Sequence, residues 1–160
     1  MRASVWLAWI ALALFCVSLA LPSVDFVILG SPGSLRGYQI VYFALGYGIS
    51  MLGQMASGTA TVNPEDVGMA LASFAAAFNF LFPAVPVMLQ RHALAGRGLG
   101  ICALLSLIGL SAGAATPYVF GKKVAGIDIG FEAWLLAFVL LLLAILMDWY
   151  ARRVQPALQP

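Results

Sequence analysis

The run FEAWLLAFVLLLLAILMDWY occupies Phe131–Tyr150 and is followed within three residues by Arg152 and Arg153. A helix that crosses a bilayer needs about 20 predominantly apolar residues. Aromatic residues and arginines at one end of such a run are typical of a helix that leaves the membrane on its cytoplasmic side. The run therefore predicts a transmembrane helix whose far end is cytoplasmic.

The composition extends this prediction to the whole chain. Of the 160 residues, 63% are hydrophobic and 9% are charged, whereas a soluble domain has about 25% charged residues. Four further apolar runs of similar length precede the last one. They are Ala3–Pro22, Tyr38–Ala56, Val67–Gln90 and Leu99–Ala115. We therefore predict an all-α integral membrane protein with a single transmembrane domain, residues 1–153, and a disordered C-terminal tail, residues 154–160.

The lysines and arginines indicate how many runs cross, because positive charges near the ends of spans stay preferentially in the cytoplasm. If all five runs cross from a cytoplasmic N-terminus, three of the eight cations lie inside and five outside. If Tyr38–Ala56 does not cross, five lie inside, namely Arg2, Arg91, Arg97, Arg152 and Arg153. We therefore predict a four-helix transmembrane bundle with cytoplasmic N- and C-termini. Five spans with the N-terminus outside give the same ratio and remain the alternative.

The composition of residues 38–56 supports a non-crossing segment. Glycine weakens a helix, and tyrosine favours the membrane interface. Glycine, tyrosine and glutamine recur in and beside the segment, at Gly37, Tyr38, Gln39, Tyr42, Gly46, Tyr47, Gly48, Gly53 and Gln54. We predict a re-entrant or interfacial segment on the outer face that packs against the four spans, because irregular backbone at membrane depth must be covered by protein.

Local signals mark the other helix boundaries. Asn63 and Pro64 are typical of the start of a helix, here the third run. Pro117 is expected to end the fourth run, and Asp128 to cap the fifth. Between them, the β-branched and aromatic stretch around Gly121 could form a short hairpin.

The first run could instead be a signal peptide, because Ser18 and Ala20 resemble the small residues of a cleavage site. Its apolar stretch is longer than the roughly 7–15 residues of a signal-peptide core. An uncleaved first span is therefore the favoured interpretation.

No constellation of residues predicts a catalytic, cofactor-binding or metal-binding site. The single histidine, His92, lies in a short basic loop, and Cys16 and Cys102 lie in different runs without a Cys-x-x-Cys spacing. Serines within the runs lack a nearby base and are expected to hydrogen-bond back to their own helix or across it. No basic run could bind nucleic acid. We therefore expect a protein that is not an enzyme and holds no cofactor.

Asn79, Pro83 and Pro86 form the polar cluster of the third run. The prolines free backbone carbonyls and kink the helix. Asn79 is expected to bond to one of those carbonyls or across to another span. A flexible or ligand-facing break in the helix is the alternative interpretation.

Three pieces of the chain resemble a group of uncharacterised bacterial inner-membrane proteins with about four transmembrane helices. They are Leu21-Pro22 through Asp25-Phe26, AAFNFLF around Asn79, and GFEAWLLAF from Gly130 to Phe138. The last is similar to a Gly-Tyr-Tyr-Leu-Trp-Leu-Leu-Ser-Phe pattern, with Glu132 in place of a tyrosine. The resemblance implies a location in a bacterial cell membrane, and it transfers no activity.

A non-enzymatic accessory or structural subunit is the leading functional hypothesis, with membrane lipid and another membrane protein or a second copy as partners. The alternative, a transporter or channel subunit, predicts a polar cavity lined by Asn79, Gln54 or Ser73. A membrane enzyme would need a polar outer pocket built from Glu132, Asp128 and Lys122.

Overall fold

The computed structural model describes residues 2–28, 31–58, 78–91, 96–120 and 124–154. Five α-helices lie within these ranges. They are α1 (Ala3–Ala20), α2 (Gly37–Ala56), α3 (Leu81–Gln90), α4 (Gly96–Phe120) and α5 (Ile129–Val154). The strands of the same ranges are β1 (Pro22–Ile28), β2 (Ser31–Arg36) and β3 (Val124–Ile127), and a 3-10 turn at Phe78–Phe80 precedes α3. The described chain is mostly helical, as predicted.

Helices α1 and α5 form the centre of the molecule and run antiparallel. Among the described residues, they are the two helices that are long and apolar enough to cross a membrane. Fully buried alanines let them pack closely, since small side chains allow two backbones to approach. These are Ala8 and Ala11 of α1 and Ala137 and Ala144 of α5.

The third predicted span is described only in part, and the fourth lies within α4. Helix α3 has 10 residues, which is shorter than the roughly 20 needed to cross a bilayer. Residues 59–77, which include the predicted helix start at Asn63 and Pro64, lie outside the described ranges. So do residues 155–160 of the predicted tail. The described residues therefore include two helices able to cross a membrane, and four spans remain a prediction.

Aromatic side chains hold α3 against the central pair. The Phe82 ring stacks on Phe15 of α1 with 4.2 Å between ring centres, and it meets Phe138 of α5 edge-on at 4.6 Å. Phe82 and Phe138 are fully buried. Pro86 lies inside α3 and is also buried, so it belongs to the packed core, whereas Pro83 at the start of the same helix is exposed.

A three-stranded antiparallel sheet caps one end of the helices, in the order β2-β1-β3. Val24 of β1 pairs with Leu35 of β2 on one side and with Ile127 of β3 on the other. The patterns in the sequence did not predict β1 and β2. The expected hairpin around Gly121 was wrong, because the residues before it continue α4 and the residues after it pair with β1.

Two predicted helix boundaries have different outcomes. The Asp128 carbonyl accepts the backbone N–H of Phe131 at 2.9 Å, so Asp128 directly precedes α5 as expected. The prediction that Pro117 ends the fourth run was wrong, because α4 continues to Phe120. Proline removes a single backbone donor, and a helix in a packed or membrane setting tolerates that loss when neighbouring groups compensate. The segment 38–56 is helical, within α2.

Candidate functional sites at the two ends of the bundle

One end of the central pair carries a cluster of charged side chains around Asp148, which is 0% exposed. We call the end that holds Arg2, Arg91, Arg152 and Arg153 the arginine pole. Arg2, at the start of α1, forms an ion pair with Asp148 near the end of α5. Arg152, one helical turn beyond Asp148, donates from Nε to the other carboxylate oxygen at 2.7 Å.

Two further hydrogen bonds extend this cluster to other elements. Ser4 Oγ lies 3.3 Å from the carboxylate of Asp148. The second guanidinium nitrogen of Arg2 donates to the Leu89 carbonyl at 3.0 Å, near the C-terminal end of α3. The last carbonyls of a helix lack intrahelical partners. Arg2 therefore joins the start of α1 to the ends of both α3 and α5.

The pairing of Asp148 with Arg2 was missed in the sequence because the two residues are 146 positions apart. The spacing of Asp148 and Arg152 did contain a signal, since oppositely charged residues four apart are neighbours on a helix. A carboxylate buried without a partner is strongly unfavourable. Because Asp148 lies on a buried helix face, a second cation besides Arg152 could have been expected near it.

The opposite end, which we call the sheet pole, consists of β1, β2, β3 and the start of α5. Here Asp25 of β1 and Asp128 face each other through a side-chain hydrogen bond. Loss of water around the carboxyl raises the pKa of Asp128, and the charge of Asp25 and the hydrogen bond raise it further. The Asp128 N–H donates to the Ser23 carbonyl at 3.0 Å, which fixes the two segments together.

A glycine makes the contact between α5 and the end of α1 possible. A Cβ atom added at Gly130 would lie closer than 3.0 Å to the carbonyl oxygens of Leu21 and Pro22 and to Ser23 Oγ. Backbone oxygens cannot move aside as the end of a flexible side chain can. Only glycine therefore fits at this position without displacing β1 or α5.

Asn79 lies buried in the 3-10 turn beside α5. Its side-chain oxygen accepts a hydrogen bond from Trp134 Nε1 at 2.7 Å. Of the two bonds expected for Asn79, to a freed carbonyl or across to another span, this is the second. Together with the Gly130 contact, this bond places Asn79 and the start of β1 against the first two turns of α5.

The remaining candidate residues are dispersed. Glu132 is exposed on the first turn of α5, and Gln54 is exposed on α2, where its amide lies 3.5 Å from Ser50 Oγ. Ser106 Oγ donates to the Cys102 carbonyl at 2.8 Å, so this serine bonds back to its own helix, one of the two arrangements expected. The other candidates lie outside the described residues; they are Ser73, His92 and Lys122.

Among the described residues, no three histidine, cysteine, aspartate or glutamate side chains are placed to hold a metal ion. Cys16 is exposed on α1, and Cys102 is buried in α4. The chemical groups that do come together are a carboxylate between two guanidinium groups at one pole and a pair of carboxyl groups at the other.

Comparison with known proteins identifies no family for the chain. No family model matches it, and no curated protein and no solved structure matches it. The structure defines only the class, a mostly helical protein whose described residues include two helices apolar enough to cross a membrane. The resemblance to the bacterial inner-membrane group stays a prediction.

Proposed function

We propose that the chain is a multi-pass protein of a bacterial cell membrane, with cytoplasmic termini and a non-enzymatic accessory or structural role. The observation that carries this topology is the pairing of β1 with β3. β1 directly follows α1 and β3 directly precedes α5. The side of the membrane on which each strand lies therefore depends on how many times the chain between them crosses the bilayer.

Two strands of one sheet must lie on the same side of a membrane, because a bilayer core would leave their backbone groups without hydrogen-bond partners. The segment between β1 and β3 must then cross an even number of times or not at all. The third and fourth runs supply two crossings. A third crossing by α2 would separate β1 from β3, so the sheet supports α2 as a re-entrant or interfacial helix.

The charges of the described residues agree with this arrangement. Of the five arginines whose side chains are described, the arginine pole holds four, and the sheet pole holds Asp25, Asp128 and Glu132. An excess of arginine is typical of cytoplasmic ends. The sheet pole is accordingly the outer side in our proposal.

Exposed apolar side chains cover the outward faces of the central helices. On α1 these include Trp6, Ile10 and Val17, and on α5 they include Leu136, Val139, Leu143 and Met147. Such a surface on two adjacent helices is expected of a protein in contact with lipid acyl chains.

The buried polar groups support a structural role. Asp148 is bonded to Arg2 and Arg152, and the Asn79 oxygen is bonded to Trp134. The Arg2–Asp148 and Asn79–Trp134 contacts join different elements of the bundle, and the Arg152–Asp148 contact lies within α5. A polar group that binds a solute or carries out chemistry must instead be able to exchange its partner for a ligand.

Labelling of single cysteines tests the topology. Cys16 and Cys102 are replaced by alanine, and one cysteine is introduced at Ser34, Ser57 or Val154, all of which are exposed. An impermeant thiol reagent applied to spheroplasts should label positions 34 and 57 and reach position 154 only after permeabilisation. Protection of position 34 with labelling of position 57 would mean that α2 crosses, and would overturn the proposal.

Extraction in a mild detergent tests the accessory role. The intact protein should migrate as a complex with a second membrane protein or with its own copies, and crosslinks should map to the exposed faces of α1 or α5. Recovery as a lone species with a solute-transport or enzymatic activity would contradict this role.

A further inference from the structure

An apolar groove opens between α4 and α5 next to the arginine pole. Its volume is about 240 Å³, and the lining is almost entirely apolar. The lining residues are Leu99, Gly100 and Ala103 of α4 and Ile145, Leu146 and Trp149 of α5. The groove is open along one side, so its contents can enter laterally from the surroundings of the helices.

A cation stands at one end of this groove. Ile145, Trp149 and Arg153 recur every four residues, which places them along one face of α5. The Arg153 guanidinium carbon lies 4.0 Å from the centre of the Trp149 ring, a stacking that fixes the charge over an aromatic face. Arg153 is exposed, so its charge meets the solvent or headgroup layer just beyond the apolar lining.

The surrounding charge favours an anion at that end. Arg2 and Arg152 share the single carboxylate of Asp148, so these two arginines and Arg153 together exceed its charge by two. The other acidic residues of the described ranges belong to the sheet pole. An occupant of this groove should therefore combine an apolar chain with a negatively charged head.

We propose that the groove between α4 and α5 binds one acyl chain of an anionic glycerophospholipid, with the phosphate group held by Arg153. The inference rests on the proposed insertion in a membrane. Basic residues beside a pocket between membrane helices are a common arrangement for anionic headgroups. The lining is almost entirely apolar, so the headgroup lies at Arg153 and the acyl chain lies along Trp149 and Ile145.

The test uses the purified full-length protein in nanodiscs of equal phosphatidylglycerol and phosphatidylcholine content. The protein is released from the nanodiscs, and native mass spectrometry counts the lipids that stay bound to it. The wild type should retain one phosphatidylglycerol in preference to phosphatidylcholine. Retention of neither lipid, or of both equally, would overturn the proposal.

A variant that fills the groove tests its location. A Cβ atom at Gly100 meets nothing within 4 Å, so Gly100→Leu should fold and occupy the groove with its own side chain. It should lower lipid retention by about tenfold or more. Gly46→Leu is the matched control, because Gly46 also has nothing within 4 Å and lies on α2, which contributes no residue to the lining of the groove. Equal retention by the two variants would contradict the assignment.

Two further variants keep the test decisive. Ala103→Ile fills the same groove from another position and serves if Gly100→Leu fails to give the helical circular dichroism of the wild type. Arg153→Gln should reduce the preference for phosphatidylglycerol about fivefold, whereas the exposed Arg36→Gln should leave it unchanged. An unchanged preference in Arg153→Gln would remove Arg153 from the site.

Extraction of cell membranes with alkaline carbonate separates the two proposals. Release of the chain into the soluble fraction would contradict membrane insertion itself. A protein that stays in the membrane fraction but shows no preference for phosphatidylglycerol would contradict the groove assignment alone.

Discussion

The two poles of this molecule treat their carboxyl groups in opposite ways. At the arginine pole, Asp148 is completely buried and lies between Arg2 and Arg152. At the sheet pole, Asp25 and Asp128 are half-buried and face each other. Burial at one pole is compensated by opposite charge, whereas the acids at the other pole lie close together and retain access to solvent.

This difference indicates what each pole contributes to the fold. An ion pair that is well bonded resists separation of its elements, because removal of one partner leaves a desolvated charge. Arg2 and Asp148 therefore fix the end of the α1 and α5 pair. Two carboxyl groups attract each other only while one of them is protonated, so Asp25 and Asp128 hold β1 and α5 together more weakly than an ion pair would. The sheet pole is held mainly by strand pairing and by the close contact at Gly130.

The largest expected effect is the loss of charge compensation at the arginine pole. Asp148→Asn keeps the shape of the side chain but leaves two guanidinium groups without their carboxylate. Both arginines are partly exposed and can turn toward the headgroups, which reduces the cost. We expect a loss of about 2–3 kcal/mol in the free energy of unfolding, measured by denaturant titration in mixed micelles.

A double-mutant cycle shows whether this effect belongs to the pair. Arg2→Gln alone should also destabilise the protein, and the double variant Arg2→Gln/Asp148→Asn should lose less than the sum of the single variants. Additive losses would mean that Arg2 and Asp148 act independently, and the contrast between the poles would lose its basis.

The next effect concerns the contact at the sheet pole. Gly130→Ala should destabilise the protein by about 1–3 kcal/mol, because the added methyl group overlaps the carbonyl oxygens of β1 and the residue before it. Gly46→Ala should be neutral or stabilising by up to about 1 kcal/mol, since alanine favours helices and the position has open space. Thermal midpoints of both variants in one detergent give the comparison, and equal midpoints would argue against close packing at Gly130.

A smaller effect is expected from the bond between Asn79 and Trp134. Trp134→Phe keeps an aromatic ring beside Phe138 but removes the donor to the Asn79 oxygen. The expected loss is about 1 kcal/mol, the usual net value for such a bond within or outside a membrane. Trp9→Phe, at a partly buried position of α1, is a control for the loss of indole area. A loss no greater than that of the control would indicate that the bond contributes nothing.

The sequence predicted the parts of the fold that depend on one segment at a time. The apolar length of α1 and α5, the start of α5 after Asp128 and the arginines after Trp149 are all local properties, and each can be recognised without the structure. Even the helical character of α2 could be inferred, because the segment is long and uncharged.

What the sequence did not reveal depends on distant segments meeting. The alternation of Ser23, Val24, Asp25 and Phe26 is a weak strand signal that the preceding apolar run obscured, and its partner β3 lies about a hundred residues away. The need for glycine at position 130 arises only when β1 lies against α5. The partner of Asp148 was likewise invisible, since no local rule selects Arg2 among the arginines of the chain.

The smallest effect is a dependence of stability on pH at the sheet pole. The pKa of Asp128 is raised above its ordinary value of 3.8 by loss of water and by Asp25, so the folded state holds this proton more tightly than the unfolded state. The resulting stabilisation is complete below about pH 3.8 and is lost as pH rises through the folded pKa. Asp128→Asn removes this titration and keeps a group that can bond to Asp25. Relative to the wild type, Asp128→Asn should therefore become more stable as pH rises above about 3.8, when thermal midpoints are compared at a series of pH values.

Asp25→Asn should weaken the same pH dependence, because it removes the neighbouring charge that helps to raise the Asp128 pKa. A difference between Asp128→Asn and the wild type that shrinks or reverses with rising pH would mean that the two carboxyl groups do not share a proton, and that the sheet pole, like the arginine pole, compensates its charge by other means.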